Sequence, residues 1–74
     1  MNRSEQVNWI RETARNIYSC WLSGSETEEE AVRAGVAAWL RECARELPEW
    51  LDDYDKALLT EFVLGIVKAN ELGG

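Results

Sequence analysis

Residues 57–67 (Ala-Leu-Leu-Thr-Glu-Phe-Val-Leu-Gly-Ile-Val) form the most apolar run of the chain, and this run constrains the fold most. At about 100° per residue, a helix would spread its apolar side chains over an arc of roughly 220°. That arc comprises Tyr54, Leu58, Leu59, Phe62, Val63, Gly65, Ile66, Val67 and Ala69. A helix on the surface of a small bundle needs an apolar stripe only a little wider than about 100°. Either two other helices cover this one, or a second chain does.

The chain has 74 residues, which is enough for one domain. A domain of this size buries only about 60% of its unfolded surface, so association often adds to its stability. We therefore expect a homodimer. Apolar residues of the third helix and two tryptophans are expected at an interface with a second copy or with another protein. The predicted interface residues are Leu59, Val63, Leu64, Val67, Trp9 and Trp50.

The periodicity predicts an all-α fold, a small bundle of three main helices. We expect helix 1 over about 4–22, helix 2 over about 28–46, a short helical turn over 48–52 after Pro48, and helix 3 over about 53–71. The predicted cap of helix 1 is Ser4, and Gly24 is a natural left-handed residue after its end. Thr27 and Glu30 fit a capping box for helix 2, and Asp52 or Asp53 caps helix 3.

Helices 1 and 2 each carry an apolar seam. The seam of helix 1 is Val7, Ile10, Ala14, Ile17 and Trp21, and that of helix 2 is Val32, Val36, Trp39, Leu40, Cys43 and Leu47. As an antiparallel hairpin, the two helices would place Ala14 opposite Val36, with Gly35 permitting a close crossing. The same pairing separates Cys20 from Cys43 beyond the reach of a disulfide, which predicts two free, buried thiols in a reducing compartment. Trp21 and Trp39 are candidates for the core.

The amino-acid composition disfavours an enzyme. The chain has no histidine, which removes the most frequent general base and the most frequent metal ligand. Two separated cysteines do not make a zinc site, and capping explains the aspartates around residue 53. We therefore expect neither an enzyme, nor a cofactor, nor a bound metal.

The acidic residues have a more open meaning. The net charge is −6, with Glu42, Glu46, Glu49, Asp52 and Asp53 concentrated between helices 2 and 3. Such a face can simply keep a protein in solution, can attract a basic protein surface, or can imitate the phosphates of DNA. Ala31–Val36 has the spacing of a helix-turn-helix, but the helical pattern continues without a turn, and the following segment lacks a net basic face. Direct nucleic-acid binding is therefore disfavoured.

Interaction with another protein is the remaining class of function. The sequence favours a non-catalytic regulator or inhibitor that docks on and blocks a larger protein, in the manner of phage host-takeover proteins, antitoxins or immunity proteins. One alternative is an acidic DNA mimic that inhibits a nucleic-acid enzyme, and another is a small structural subunit of a heteromeric complex. No apolar run is long enough to span a membrane and the first residues do not form a signal peptide, so we expect a cytoplasmic protein.

Overall fold

A computed structural model describes the backbone of residues 1–23 and 28–73 and the side chains of residues 1–23 and 28–70. The elements are α1 (Arg3–Asn16), a π-helical segment (Ile17–Trp21), α2 (Glu29–Glu42) and α3 (Asp53–Gly73). The described residues contain helices and turns but no strand, so the predicted all-α fold with three helices is confirmed.

Side chains at the helix starts determine where the first and third helices begin. Asn2, not Ser4, caps α1: its side-chain oxygen accepts a hydrogen bond from the Glu5 backbone N–H at 2.9 Å. The predicted cap at Ser4 is wrong by two residues, and Asn is an equally good cap. Asp52 caps α3 by accepting from the Asp55 backbone N–H at 2.9 Å, as predicted. The predicted caps at Gly24 and Thr27 lie outside the described residues.

Helix 2 ends earlier than predicted. The α-helix stops at Glu42, and residues 43–46 form turns in which the Glu46 N–H donates to the Cys43 carbonyl at 2.9 Å. A further turn follows Pro48, where the Leu51 N–H donates to the Pro48 carbonyl at 3.2 Å. Pro48 restricts the residue before it, which explains a break ahead of the proline. Glu46 and Glu49 are therefore carried on turns and not on a helix.

The π-helical segment changes which side of the chain faces the core. Its widened turn is closed by the Leu22 N–H donating to the Ile17 carbonyl at 2.9 Å, an i+5 bond. Ile17 remains fully buried, but the wider turn rotates the following residues off the α-helical seam. Trp21 is consequently 44% exposed and not in the core, which corrects its predicted placement.

The helices do not form the predicted hairpin. No Cα atom of α1 lies within 8 Å of one in α2, whereas α3 contacts α1, α2 and the π-helical segment. Gly35 of α2 instead meets the end of the π-helical segment: the Trp21 indole N–H donates to its carbonyl at 2.9 Å. A Cβ at Gly35 would lie 2.7 Å from Leu22 Cδ2, so the close crossing occurs, but with Leu22 and not with Ala14.

The third helix is therefore the element around which the others pack. Its residues Leu59, Val63, Leu64 and Val67 join a core completed by Ile10, Ala14, Ile17, Val32, Val36 and Leu51. Of the two alternatives for the wide apolar arc, coverage by two other helices applies to this inner half. The outer half remains in partial contact with solvent: Leu58, Phe62 and Ile66 are half-buried, whereas Tyr54, Gly65 and Ala69 are exposed.

Candidate protein-docking face

The five predicted acidic-face residues are all exposed. Glu42 is the last residue of α2, Glu46 and Glu49 lie on the connecting turns, and Asp52 and Asp53 stand at the start of α3. None of the five forms an ion pair with a basic side chain in the part of the chain that the structure describes. We call these five residues the acidic face; Asp52 also caps α3 and acts on the charge of Arg3, and the negative charge of the other four is available to a partner.

Asp55 lies close in sequence to the acidic face but belongs to the interior. It is 3% exposed and accepts two hydrogen bonds from the Arg3 guanidinium, at 2.7 Å and 3.3 Å. The hydrogen bond from Arg3 lowers the pKa of Asp55 from its ordinary value of 3.8, and the same bond raises the pKa of Arg3. The pair is 52 residues apart, and no sequence pattern marks it. Asp55 therefore ties the start of α1 to the start of α3.

A groove walled by tryptophans adjoins the acidic face. It has a volume of about 200 Å³ and lies between α1 and α2, whose Cα atoms are more than 8 Å apart. Its lining is Trp9, Thr13, Asn16, Trp39, Cys43, Glu46 and Leu47. The Trp50 ring stands at 83° to the Trp9 ring with 5.4 Å between the ring centres, an edge contact that holds Trp9 in place. We call this the tryptophan groove, and Glu46 belongs to both it and the acidic face.

The predicted interface residues separate into two groups. Leu59 and Val63 are fully buried, Val67 is 3% exposed and Leu64 is 5% exposed, all within a single chain. A side chain that is covered by its own chain presents no surface to a partner, so these four do not form a docking face in this fold. Trp9 and Trp50 are half-buried; Trp9 lines the tryptophan groove, and Trp50 contacts Trp9.

A second groove runs between α1 and the outer half of α3. Its volume is about 300 Å³, and its lining is Arg11, Arg15, Glu61, Phe62, Gly65, Ile66 and Ala69. The Arg11 guanidinium lies 5.6 Å from the centre of the Phe62 ring, within the range of a cation–π contact. Nothing lies within 4 Å of where a Cβ of Gly65 would be. This groove holds Phe62, Gly65, Ile66 and Ala69 of the outer half of the arc, whereas Tyr54 and Leu58 lie outside it.

The two cysteines are free, as predicted, but they differ in exposure. Cys20 is exposed and Cys43 is half-buried, so the prediction that both are buried is wrong for Cys20. Cys20 lies on the π-helical segment, where the same rotation that exposes Trp21 turns it outward. Among the described residues no group of three His, Cys, Asp or Glu side chains is placed to hold a metal ion.

Searches against known proteins return no relative. The chain matches no protein-family model, and neither a curated protein sequence nor a solved structure is significantly similar to it. Over the described residues, none of the helices combines the length and the apolar character needed to cross a membrane.

Proposed function

We propose that this chain is a non-catalytic regulator that binds a basic surface of a larger protein through its acidic face and blocks it. The observation that supports this function is the exposure of all five carboxylates without an internal ion pair. Each of the three ion pairs in the described structure uses a different acid: Asp55, Glu29 or Glu61. With both thiols free, we place the protein in the cytoplasm.

Electrostatics gives such a face a clear physical role. Unpaired carboxylates at one end of a small protein raise the rate of encounter with a basic surface and orient the two molecules. Arg41 and Arg45 are interspersed among these acids, so the face attracts a basic partner as a pattern of charges and not as a uniform field. The affinity should therefore fall as salt is added, because exposed charges are screened over about 8 Å at physiological ionic strength.

A narrower form of this proposal is mimicry of nucleic acid. Carboxylates on successive turns and helix ends can occupy the positions of phosphates in the basic groove of a nucleic-acid enzyme. The same exposed acidic face supports this alternative, and the partner is again a protein. Competition separates the two forms: a mimic and double-stranded DNA should exclude each other from the captured partner, whereas a regulator that binds elsewhere should not be displaced by DNA.

The acidic face is tested by comparing two variants with the same change in charge. The first carries Glu46→Gln, Glu49→Gln, Asp52→Asn and Asp53→Asn. The Asp52→Asn change preserves the cap of α3, because asparagine is as good a cap as aspartate. The control carries four other exposed acids replaced by glutamine, namely Glu5, Glu12, Glu29 and Glu30.

Affinity capture from a bacterial lysate at low salt is expected to recover the same protein with the natural chain and the control, and to lose it with the acidic-face variant. Capture of that protein by both variants would contradict the proposal. Capture of nothing by the natural chain would also contradict it. Circular dichroism should show equal helix content in all three proteins, so that loss of binding is not loss of fold.

The proposal of a constitutive subunit loses its main argument. That alternative required the apolar arc of the third helix to be covered by a different chain. Leu59, Val63, Leu64 and Val67 are instead covered by the protein's own helices. Only the outer half of α3, around Phe62 and Ile66, would remain as the interface of a permanent subunit.

The homodimer stays a prediction, and the outer half of α3 is where it would form. Phe62 and Ile66 are half-buried beside the open position at Gly65, so two copies could approach closely there. Sedimentation equilibrium is expected to give twice the 8.5-kDa mass for the natural chain and the 8.5-kDa mass of the monomer for Ile66→Lys, because the lysine adds a charge at the contact. The monomer mass for the natural chain at micromolar concentration would rule the dimer out.

A further inference from the structure

We infer that the tryptophan groove binds an arginine side chain of the partner protein, between the indoles of Trp9 and Trp39 and against the carboxylate of Glu46. This inference deepens the proposed function and depends on it: the acidic face attracts a basic surface, and the groove selects one residue of that surface. The arginine would serve as the buried anchor of the interface.

The groove exists because α1 and α2 do not pack against each other. With their Cα atoms more than 8 Å apart, side chains and not backbones have to fill the space between these helices. Trp9 extends from α1 and Trp39 from α2, and both remain half-buried. The perpendicular Trp50 ring supports Trp9 from one side, so the groove wall is ordered before a ligand arrives. A pre-ordered wall lowers the entropic cost of binding.

The chemistry of the lining favours a guanidinium over other groups. A planar guanidinium stacks on indole faces and pairs with a carboxylate through two parallel hydrogen bonds. Glu46 offers that carboxylate in the lining. An apolar side chain would fit the indoles but would gain nothing from Glu46. Lysine carries a compact ammonium that is more strongly hydrated and does not stack as a plane.

The protein's own arginines do not occupy the groove. Arg41 and Arg45 are the nearest in sequence, but both are exposed and neither lines it. The volume of about 200 Å³ is therefore open to an external side chain. Glu46, which lines the groove, is itself an acidic-face residue, so the anchor lies within the reach of a basic segment held by the acidic face.

The test uses two short peptides that differ in one residue. Both contain four lysines spaced by glycine and serine, with either arginine or a fifth lysine at the centre, so their net charges are equal. Isothermal titration at low salt is expected to show about ten-fold tighter binding of the arginine peptide. In nitrogen–proton NMR spectra, the indole signals of Trp9 and Trp39 should shift on its addition. The Trp21 indole should not shift, because it donates to the Gly35 carbonyl away from the groove.

Two single variants assign the preference to the groove. Glu46→Gln should nearly abolish the preference, so that the arginine and lysine peptides bind with almost equal affinity. Glu42→Gln removes the same charge from a residue that does not line the groove, so it should weaken both peptides alike and keep the preference.

Equal affinity for both peptides with unmoved indole signals would overturn the inference about arginine. If the acidic-face variant still weakened both peptides in that case, the acidic face would remain the docking surface. If that variant bound both peptides as tightly as the natural chain does, the proposed function would fail as well.

Discussion

Replacing Leu59 by alanine is expected to lower the free energy of unfolding by about 2–5 kcal/mol, the usual cost of a leucine removed from a core. Leu59 is fully buried on the helix that contacts α1, α2 and the π-helical segment, so little can collapse into the space that it leaves. At about 0.05–0.15 kcal/mol per residue, a chain of 74 residues has only about 4–11 kcal/mol of stability in total. The variant should therefore lose a large part of its stability.

The neighbouring residue provides a matched control. Leu58→Ala removes the same atoms from the same helix, but Leu58 is only half-buried, so its expected cost is about 1 kcal/mol. Urea unfolding followed by circular dichroism measures both values, provided that the slope against denaturant is unchanged. A larger loss at Leu58 than at Leu59 would mean that α3 is rotated, with the Leu59 side facing outward, as a docking face on that side would require.

Periodicity predicted the existence of the helices but not their neighbours. The arc of the third helix was visible in the spacing of its apolar residues, and Ile10, Ala14 and Ile17 were all assigned correctly to the core. The spacing cannot say which element covers which part of an arc. Leu59, Val63, Leu64 and Val67 are predicted as interface residues but are buried within the chain. Packing by two helices and contact with a second chain leave the same pattern in a sequence.

Local irregularities explain the remaining differences in the fold. A π-turn has no distinctive residue pattern, so the rotation that exposes Trp21 was not predictable from a 3.6-residue period. That segment and Leu22, not Ala14, fill the position opposite Gly35, and the two helices are kept apart as a result. The tryptophan groove follows from this separation. The seam of helix 2 predicts Trp39 in the core; Trp39 does pack against the core, and its partly buried side chain also lines the groove.

The candidate site was predictable where it depends on polarity alone. Glu46, Glu49 and the other acidic-face residues are exposed because an unpaired carboxylate is costly to bury. The same rule predicts an exposed Asp55. Its contact with Arg3 explains why Asp55 is only 3% exposed. A pair separated by 52 positions depends on how α1 is placed against α3, which no local pattern contains.

Replacing Arg3 by methionine is expected to lower the free energy of unfolding at pH 7. It should also reverse the direction in which protonation of Asp55 changes that free energy. In the natural chain the folded pKa of Asp55 lies below its ordinary value of 3.8, because Arg3 donates hydrogen bonds to the ionised carboxylate. That stabilisation is fully present above pH 3.8 and is lost as the pH falls through the lower folded pKa. Without Arg3, the carboxylate is buried with no cation beside it, and burial raises its pKa.

The difference in the free energy of unfolding between the natural chain and Arg3→Met should therefore be largest near neutral pH. It should shrink as the pH falls through the raised pKa of Asp55 in the variant, and should be smallest below the lowered pKa of Asp55 in the natural chain. Thermal unfolding from pH 7 down to pH 2.5 measures this difference. Arg41→Met is a matched control, because Arg41 is exposed and forms no ion pair within the described structure. A loss at Arg3 that stays constant over this range would show that methionine disturbs packing and not the charge on Asp55. The Asp55 backbone N–H donates to Asp52, the cap of α3. Loss of the Arg3–Asp55 ion pair would therefore release the start of the helix that supports the acidic face.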